Sequence, residues 1–348
     1  PITLQYTAQK IHVPFGTIKP LLHFFLQFGL KKPEKLLLNP YQLVALCQDV
    51  SGVHWKIDKK FIHDIRDILD IDNQPSPHVP SSLCANLRDY QKIGVSWLSK
   101  LRKGGFGGVL ADDMGLGKTV QALAHLLCIK EQKIARHASL IVVPISLVMN
   151  WYEECRRFAP DLSMLVYHGG GRHNMEMHKY DVIVTTYGVI VRDLPLFIER
   201  KFDTLILDEA QAIKNPLTKM ANAVRSIKSV HRLCLTGTPL ENHLGELWSL
   251  FHFLMPGFLG DRKQFKQYFR TPIEKYADPV RRELLATRIK PFLLRRCKED
   301  VVKELPPKTE ILQKITFSQD QRYLYEAIRM TMAERVRSSI ARSGFQRS

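Results

Sequence analysis

The sequence lacks the marks of membrane and secreted proteins. Its apolar runs stay below the about eighteen residues that a membrane-spanning helix needs, so no span is expected. The first residues, PITLQYTAQK, contain neither the long apolar stretch nor the cleavage site of a secretory signal. Because residue 1 is Pro rather than Met, we expect the chain to be a piece of a longer protein.

Cysteine is scarce, and its spacing disfavours two further classes of protein. The six cysteines lie 27 or more residues apart, and none forms a CxxC pair. Zinc sites and disulfide frameworks need closer or patterned cysteines. We therefore expect reduced, buried thiols in a cytosolic compartment.

What the sequence has in excess is positive charge. The 51 Lys and Arg against 34 Asp and Glu give a net charge of +17, which suits a polyanionic partner. An ordinary solvated basic surface explains this charge equally well. With 45% apolar residues in 348, the chain can form a core and two or three compact units.

Short β-rich runs alternate with helical patterns after residue 82. They are apolar throughout, as the strands of a parallel sheet are when helices cover both faces. Residues 1–80 contain helical patterns, and the segment 72–82 is rich in Pro and Ser, as a linker would be. From about residue 255 onward the β signal stops. The predicted strands are GGVLA (107–111), SLIVVP (139–144), SMLVYH (163–168), DVIVTTY (181–187), TLILD (204–208) and HRLCLTG (231–237).

The segment DDMGLGKT (112–119) stands between the first predicted strand and a helix. In such a loop, backbone N–H groups at a helix N-terminus point at phosphate oxygens. Gly115 and Gly117 permit the close approach, Lys118 supplies positive charge, and Thr119 supplies a hydroxyl for Mg²⁺. Asp112 replaces the first glycine of the general GxxxxGK[ST] pattern, but the strand–loop–helix context fits. We predict a triphosphate site, with a chance GKT in a loop as the alternative.

An acidic pair ends a later predicted strand, in LILDEAQ (205–211). At the carboxyl edge of the sheet, Asp208 can hold Mg²⁺, and Glu209 can orient or deprotonate the attacking water. Taken alone, such a pair more often caps a helix. Its place in the same sheet as the phosphate loop favours the catalytic interpretation.

Two further segments fit the same site. In CLTGTPLEN (234–242), Thr236, Gly237 and Thr238 can report the state of the γ-phosphate to another surface, although an ordinary turn is the alternative. In LRDYQKIGVSWL (87–98), the amide of Gln91 can pair with the edge of adenine. ATP is therefore the expected nucleotide.

The motifs occur in the order LRDYQ, DDMGLGKT, IVVPISLVMNW, VTTYGVI, LDEAQAIKNP, LTGTPLENHLGELWSL and PFLLRRCKEDVVKELPPKTE. In this order they resemble the Swi/Snf-type ATPases of helicase superfamily two, bacterial members most, over about residues 83–310. The resemblance implies an α/β fold: a RecA-like P-loop NTPase lobe with a parallel sheet and helices on both faces, a helical N-terminal segment and a helical outgrowth. The implied domains are 1–80 (helical segment and linker), 83–254 (first RecA-like lobe), 255–310 (helical protrusion and inter-lobe segment) and 311–348 (start of the connection to a second lobe).

The resemblance also implies site residues. Lys118, Asp208 and Glu209 would be catalytic, and Thr119 and Asp208 would bind Mg²⁺. Thr236, Gly237 and Thr238 would couple the two binding surfaces. ATP would contact Arg88, Gln91, Met114, Gly115, Leu116, Gly117, Lys118 and Thr119. Double-stranded DNA would lie, without sequence preference, along Ser146, Asn150, Trp151, Thr185, Thr186, Tyr187, Lys214 and Asn215. For these DNA residues, packing in loops or core stays an alternative.

The sequence shows half of the expected catalytic site. Motors of this type carry a second RecA-like lobe whose arginines reach the γ-phosphate, and no second set of strands follows PPKTE. Arg295 and Arg296 match the inter-lobe segment rather than an arginine finger. Because an absent finger can cost about 10³–10⁵ in rate, we expect this chain to bind ATP, hydrolyse it barely and be a monomer.

The leading hypothesis is therefore the first motor lobe of an ATP-driven translocase on double-stranded DNA. We expect it in the bacterial cytoplasm at the nucleoid, or in the nucleus if the organism is eukaryotic. One alternative is an RNA- or DNA-unwinding helicase of the same superfamily. The other is a nucleic-acid-binding module without turnover.

Overall fold

The computed structural model describes residues 2–6, 9–13, 27, 41–42, 44–45, 79–172, 175–240, 242–301 and 316–343. The chain separates into two compact units, Pro1–Val302 and Lys303–Ser348. Within the described ranges, no helix is long and apolar enough to cross a membrane.

The N-terminal segment begins with strands. β1 (Ile2–Tyr6) and β2 (Gln9–Val13) form an antiparallel pair in which Ile2 lies opposite Val13. The prediction of a helical segment is therefore wrong for these residues. Their alternation of apolar and polar residues, as in ITLQY, has the period of a strand. The other helical patterns of residues 1–80 are LLHFFLQFGL (21–30) and FIHDIRDILDI (61–71), and apart from residue 27 they lie outside the described residues.

A seven-stranded sheet forms the centre of the first unit. Its strand order is β5-β6-β4-β7-β8-β3-β9, and every pairing is parallel. Every residue of β4 and of β6 is buried, which requires cover on both faces, as the apolar runs predicted. The strands are β3 (Gly108–Leu110), β4 (Ser139–Val143), β5 (Met164–Val166), β6 (Val182–Thr186), β7 (Lys201–Leu207), β8 (Lys228–Leu235) and β9 (Leu293–Leu294).

Helices connect the strands and continue beyond the sheet. The helices of the first unit that follow residue 260 form the predicted helical outgrowth. The last helix is long and belongs to the second unit. The helices are α1 (Asp89–Gly104), α2 (Lys118–Glu131), α3 (Val148–Phe158), α4 (Tyr187–Arg192), α5 (Leu194–Ile198), α6 (Lys219–Ser226), α7 (Leu244–Leu254), α8 (Arg262–Phe265), α9 (Thr271–Tyr276), α10 (Pro279–Ile289), α11 (Lys298–Val301) and α12 (Gln319–Ser343).

The sheet gains one strand that the sequence did not predict. We expected the β signal to stop near residue 255, but β9 pairs with β3, with Leu293 beside Val109 and Leu294 beside Leu110. Two residues are too few to produce a detectable pattern. This short strand brings a distant part of the chain to the edge of the sheet next to the phosphate loop.

The cysteines confirm the expectation of burial only in part. Cys128, Cys155 and Cys234 are buried and free, whereas Cys84 is exposed and Cys297 is half-buried. The two exceptions lie outside the strands and helices, where no apolar pattern encloses them.

Two histidines are buried side by side in the core. His125 on α2 and His231 on β8 have ring centroids 5.5 Å apart. Burial, with a smaller contribution from the charge of Arg102, lowers the pKa of His125 to about 3. Burial, His125 and Arg102 also lower the pKa of His231 well below its ordinary value. Both side chains are therefore neutral in the folded protein near neutral pH.

Because of these two buried histidines, we expect the stability of the fold to decrease in acid. The unfolded chain binds more protons than the folded one below about pH 6.5, so stability decreases as pH falls through that value. We expect the free energy of unfolding to fall by about 1.4 kcal/mol per pH unit per histidine between about pH 6 and pH 5. Urea unfolding measures this slope. His125→Leu should reduce it, and the exposed His178→Gln should not. An equal slope in all three proteins would contradict the prediction.

Candidate nucleotide-binding site

The phosphate loop lies between β3 and α2, as the motif predicted. Gly117 is the N-cap of α2 and has a φ of +77°, and Gly115 has a φ of +87°. A Cβ at position 117 would lie 2.5 Å from Nε2 of Gln91, so a larger residue would clash there as well as strain the backbone. The glycines thus let the loop pass tightly over the helix N-terminus, where N–H groups are available to an anion.

Lys118 lies across this loop. Its ammonium donates to the carbonyl oxygen of Asp112 at 2.7 Å and to that of Asp113 at 3.4 Å. Burial raises the pKa of Asp208, and the ammonium of Lys118 is close enough for its charge to oppose that rise. The phosphate loop and the acidic segment therefore meet at the carboxyl ends of β3 and β7.

Asp208 is the buried acid of the site, at 7% exposure. Its Oδ2 accepts a hydrogen bond from Nε1 of Trp151 at 2.8 Å, and its Oδ1 accepts one from the backbone N–H of Glu209 at 2.9 Å. Burial raises the pKa of Asp208, while these two donors and Lys118 oppose the rise. The donors fix the orientation of the carboxylate at the end of β7.

A second carboxylate next to this acid escaped the sequence analysis. Glu154 on α3 hydrogen-bonds the side chain of Thr119. Burial raises its pKa, the bond to Thr119 opposes this, and the nearby charge of Asp208 adds to the rise. Glu154 lies three residues after Trp151, so both side chains are on one helix face. This spacing is the signal that could have identified it.

The residues fit a magnesium ion that is shared with phosphates. A hydroxyl from Thr119 and a carboxylate from Asp208 are oxygen ligands of the kind that Mg²⁺ prefers, and Glu154 is hydrogen-bonded to the first of them. Among the described residues, no group of three His, Cys, Asp or Glu could hold a metal by protein ligands alone. Such a site suits Mg²⁺ because this ion usually keeps waters and phosphate oxygens as its other ligands.

Glu209 begins a chain of hydrogen bonds to the segment after β8. Its backbone is in the left-handed region, with a φ of +47°, which is unusual for a residue with a side chain. Its Oε2 accepts from Nε2 of Gln211 at 2.6 Å, and Oε1 of Gln211 accepts from the hydroxyl of Thr236 at 3.0 Å. The Thr236 hydroxyl in turn accepts from the N–H of Thr238 at 3.1 Å. The acidic segment and the predicted coupling segment are thus in direct contact.

The other end of the coupling segment faces the phosphate loop. A Cβ at Gly237 would lie 3.4 Å from Cγ of Met114. Met114 itself is 62% exposed, while Leu116 is buried. The structure therefore brings Met114 and the coupling segment together, with Gln211 as a link that the sequence analysis did not assign.

The predicted adenine residues lie beside the phosphate loop. The Gln91 amide donates to the carbonyl oxygen of Leu116 at 3.2 Å and accepts from the N–H of Arg88 at 2.9 Å. The hydroxyl of Tyr90 donates to the same Leu116 oxygen at 3.2 Å. The Gln91 amide thus bonds to protein groups here, and its contact with adenine stays a prediction.

Four of the predicted DNA contacts have buried side chains. Trp151 and Thr185 are 1% and 0% exposed, and Thr186 and Tyr187 are 7% and 5% exposed. Thr185 donates to the carbonyl oxygen of Tyr167 at 2.8 Å, and Thr186 caps α4 by accepting from the N–H of Val189. Packing and hydrogen bonding withdraw these side chains from the surface, and a contact of these four residues with DNA stays a prediction.

The remaining predicted DNA residues are accessible. Ser146, Asn150 and Asn215 are exposed, and Lys214 is half-buried. Lys214 and Asn215 line a cavity of about 420 Å³. Three cations of the helical outgrowth, which the sequence analysis did not assign, line the same cavity: Arg262, Lys266 and Arg270. Only the folding of the outgrowth against residues 214–217 brings these charges together.

The fold and the site together define a class of protein. A parallel α/β sheet with a glycine-containing phosphate loop after one strand and an acidic pair after another is a RecA-like P-loop lobe. A family model described as "SNF2-related domain" matches residues 90–347. The chain belongs to this family.

Relatives and solved structures agree with this assignment. A Bacillus subtilis protein, "Putative ATP-dependent helicase/translocase YwqA", is 41% identical over 285 residues, which are 80% of this chain and 31% of that protein. The Arabidopsis thaliana "Chromatin-remodeling ATPase INO80" is 37% identical over 72% of this chain and 18% of that protein. The Sulfolobus solfataricus SWI2/SNF2 ATPase core in complex with dsDNA has a TM-score of 0.63 at 41% identity, over 75% of this chain and 56% of that one. The chain thus spans less than a third of the length of the Bacillus and Arabidopsis relatives.

The bond from Trp151 to Asp208 predicts a magnesium-dependent defect. Trp151→Phe keeps an aromatic ring but removes the donor that orients the carboxylate. Because a hydrogen bond to a charged group contributes about 1.5–3 kcal/mol, we expect at least a tenfold loss of affinity for ATP with Mg²⁺. Affinity for ATP in excess EDTA should be unchanged.

The control for this variant is Trp248→Phe. Trp248 is also a buried indole donor, but its Nε1 bonds to the carbonyl oxygen of Gly260 at 3.1 Å. This variant should lose stability and keep the magnesium dependence of ATP binding. An equal loss of affinity in EDTA for Trp151→Phe would mean that the residue supports the fold rather than the carboxylate.

Proposed function

We propose that the chain is the ATP-binding lobe of a motor ATPase that translocates on double-stranded DNA. The observation that carries this proposal is that the phosphate loop with Lys118 and Thr119 follows β3, and the acidic pair Asp208 and Glu209 follows β7, at the carboxyl edge of one parallel sheet. Ligands of open α/β sheets bind at this edge. ATP hydrolysis by the whole protein is part of the proposal, because the chain spans 31% of the Bacillus relative.

Each residue of the site has a separate role in this proposal. Lys118 and the loop N–H groups bind the phosphates and balance their charge. Thr119 and Asp208 hold Mg²⁺, which supplies further positive charge to the phosphate oxygens when it is bound. Glu209 orients the attacking water and accepts its proton. The bond from Gln211 fixes the Glu209 carboxylate for this task.

DNA would bind on the surface formed by Ser146, Asn150 and the cavity beside Lys214. Hydroxyl, amide and cationic groups suit phosphate oxygens and carry little information about sequence. Arg262, Lys266 and Arg270 add positive charge to this cavity, part of which Glu274 balances by pairing with Arg270. The net charge of +17 is consistent with the same partner. The solved Sulfolobus structure, described as bound to dsDNA, supports this interpretation.

In the whole protein, a second RecA-like lobe would complete the site and supply arginines to the γ-phosphate. We therefore expect this chain alone to be a monomer that binds ATP with little hydrolysis, located with the DNA in the cytoplasm of a bacterium or in a nucleus. ATPase activity of the longer protein separates the alternatives. Stimulation by double-stranded DNA favours the translocase, stimulation by RNA alone favours the unwinding helicase, and absence of turnover favours the binding module.

Lys118→Ala tests the nucleotide site. We expect a loss of at least tenfold in affinity for ATP, toward no measurable binding, because the variant removes the cation that faces the phosphates. Titration of a fluorescent ATP analogue measures the affinity. Lys130→Ala is the matched control, since Lys130 is at the far end of α2 and pairs with Asp181. Unchanged affinity in Lys118→Ala would show that the loop is misassigned.

Salt dependence tests the DNA surface. The logarithm of the association constant should fall by about 0.9 per log unit of salt for each phosphate contacted. Arg262→Ala and Lys266→Ala together should lower this slope by about 1 to 2. Arg136→Ala removes an exposed cation just before β4, at the amino ends of the strands. This variant should not change the salt slope. A salt-independent affinity for double-stranded DNA would contradict the assignment.

A further inference from the structure

A short segment of the chain runs beside the phosphate loop. We call residues 293–298, which include β9, the strap. The N–H of Ala111 donates to the carbonyl oxygen of Leu294 at 2.7 Å, and the N–H of Asp113 donates to that of Arg296 at 3.0 Å. The N–H of Lys298 donates to Oδ2 of Asp113 at 3.1 Å. The strap thus continues the pairing of β3 and β9 along the first half of the loop.

The side chain of Arg296 connects the strap to the base of the loop. Its guanidinium forms a forked ion pair with Asp112, with Nε 2.9 Å from Oδ1 and a short second bond to Oδ2. It also donates to Oε1 of Gln121 on α2 at 2.7 Å and to the carbonyl oxygen of Tyr90. It lies 5.1 Å from the centre of the Tyr90 ring. One side chain therefore joins the loop, α1 and α2.

Asp112 depends on this arginine for its charge balance. Its carboxylate is 0% exposed and accepts from Nε2 of Gln121 at 3.1 Å in addition to Arg296. Its backbone oxygen, in turn, accepts from the Lys118 ammonium at 2.7 Å. A buried carboxylate without its cation is strongly unfavourable. Movement of Arg296 would therefore move the residue that positions Lys118.

Arg295 shows that the arrangement is specific to one of the two adjacent arginines. Arg295 is exposed, whereas the side chain of Arg296 is 12% exposed. The alternation of a strand sends neighbouring side chains to opposite sides. At the end of the strap, the Lys298 ammonium lies over the loop, because a Cβ at Gly115 would be 3.6 Å from its Nζ.

We propose that Arg296 is a positioning residue of the ATP site: through Asp112 it holds the phosphate loop in the conformation that binds nucleotide. This inference rests on the proposed function and deepens it. The strap and the loop form one hydrogen-bonded unit, so nucleotide that orders the loop also orders the strap. Because such coupling is reciprocal, a change in the strap alters the free energy of nucleotide binding by as much as nucleotide binding alters the free energy of ordering the strap. The strap, where the chain leaves the sheet, thereby regulates the phosphate loop.

Variants of the ion pair test the proposal. Arg296→Ala and Asp112→Ala should each weaken binding of a fluorescent ATP analogue at least tenfold. The double variant should bind no more weakly than the weaker single variant, since both changes remove one interaction. Arg295→Ala removes the same charge one residue away and should stay within about twofold of the unchanged protein. Circular dichroism and thermal melting identify variants that fail to fold, and double-stranded DNA affinity should be kept in those that fold.

Two outcomes would overturn the proposal. One is a folded Arg296→Ala protein that binds the analogue like the unchanged protein. The other is full additivity of the two single changes. If the unchanged protein itself does not bind the analogue, the proposed function fails instead, so the two failures are distinguishable. Arg296→Lys, which keeps the charge but cannot form the fork, should give an intermediate loss.

Hydrogen exchange tests the linkage without any variant. In the unchanged protein, ATP should slow amide exchange in a peptide that spans residues 293–301, because the N–H of Lys298 bonds to the loop. A peptide from the 132–137 loop, which precedes β4, is the control and should not change. Unchanged exchange in the strap at saturating ATP would overturn the proposal even if every Arg296 variant failed to fold.

Discussion

The structure depends on one geometric constraint, which is that parallel strands all end at the same edge of their sheet. The phosphate loop follows β3, the acidic pair follows β7 and the coupling segment follows β8, and these three strands are neighbours in the order β7-β8-β3. Segments about 30 to 120 residues apart in the sequence thus meet at one edge of the sheet. The apolar strands that enforce this order do no chemistry, yet they bring the charge of Lys118 close enough to act on the carboxylate of Asp208.

The features that the sequence predicts well are those carried by a continuous stretch of chain. DDMGLGKT can be recognised from its own strand and helix, and the loop forms between them as expected. Arg296, Glu154 and Gln211 could not be assigned in this way, because their roles come from contacts with other segments. The strand β9 escaped detection for a related reason: two residues of a strand have no measurable period.

The different burial of the predicted DNA residues has a physical cause. A motif that contacts a ligand contains residues that face the ligand and residues that pack behind them. Residue type alone does not distinguish these two groups. Asn150 and Trp151 are adjacent on α3, but the first is exposed and the second is 1% exposed. The helix rotates by about 100° per residue, so neighbours in sequence necessarily face different surroundings.

Two of the buried residues contact Asp208. Trp151 bonds the side chain of Asp208, and the hydroxyl of Tyr187 donates to the backbone oxygen of Asp208 at 2.8 Å. Both residues belong to the motifs whose resemblance implies DNA contact, and the exposed Asn150 adjoins the first of them. A displacement of either segment by DNA would therefore reach the acid that we propose as a magnesium ligand. In the proposed function, these buried aromatic donors would connect the polar surface at Asn150 to the carboxylate of Asp208.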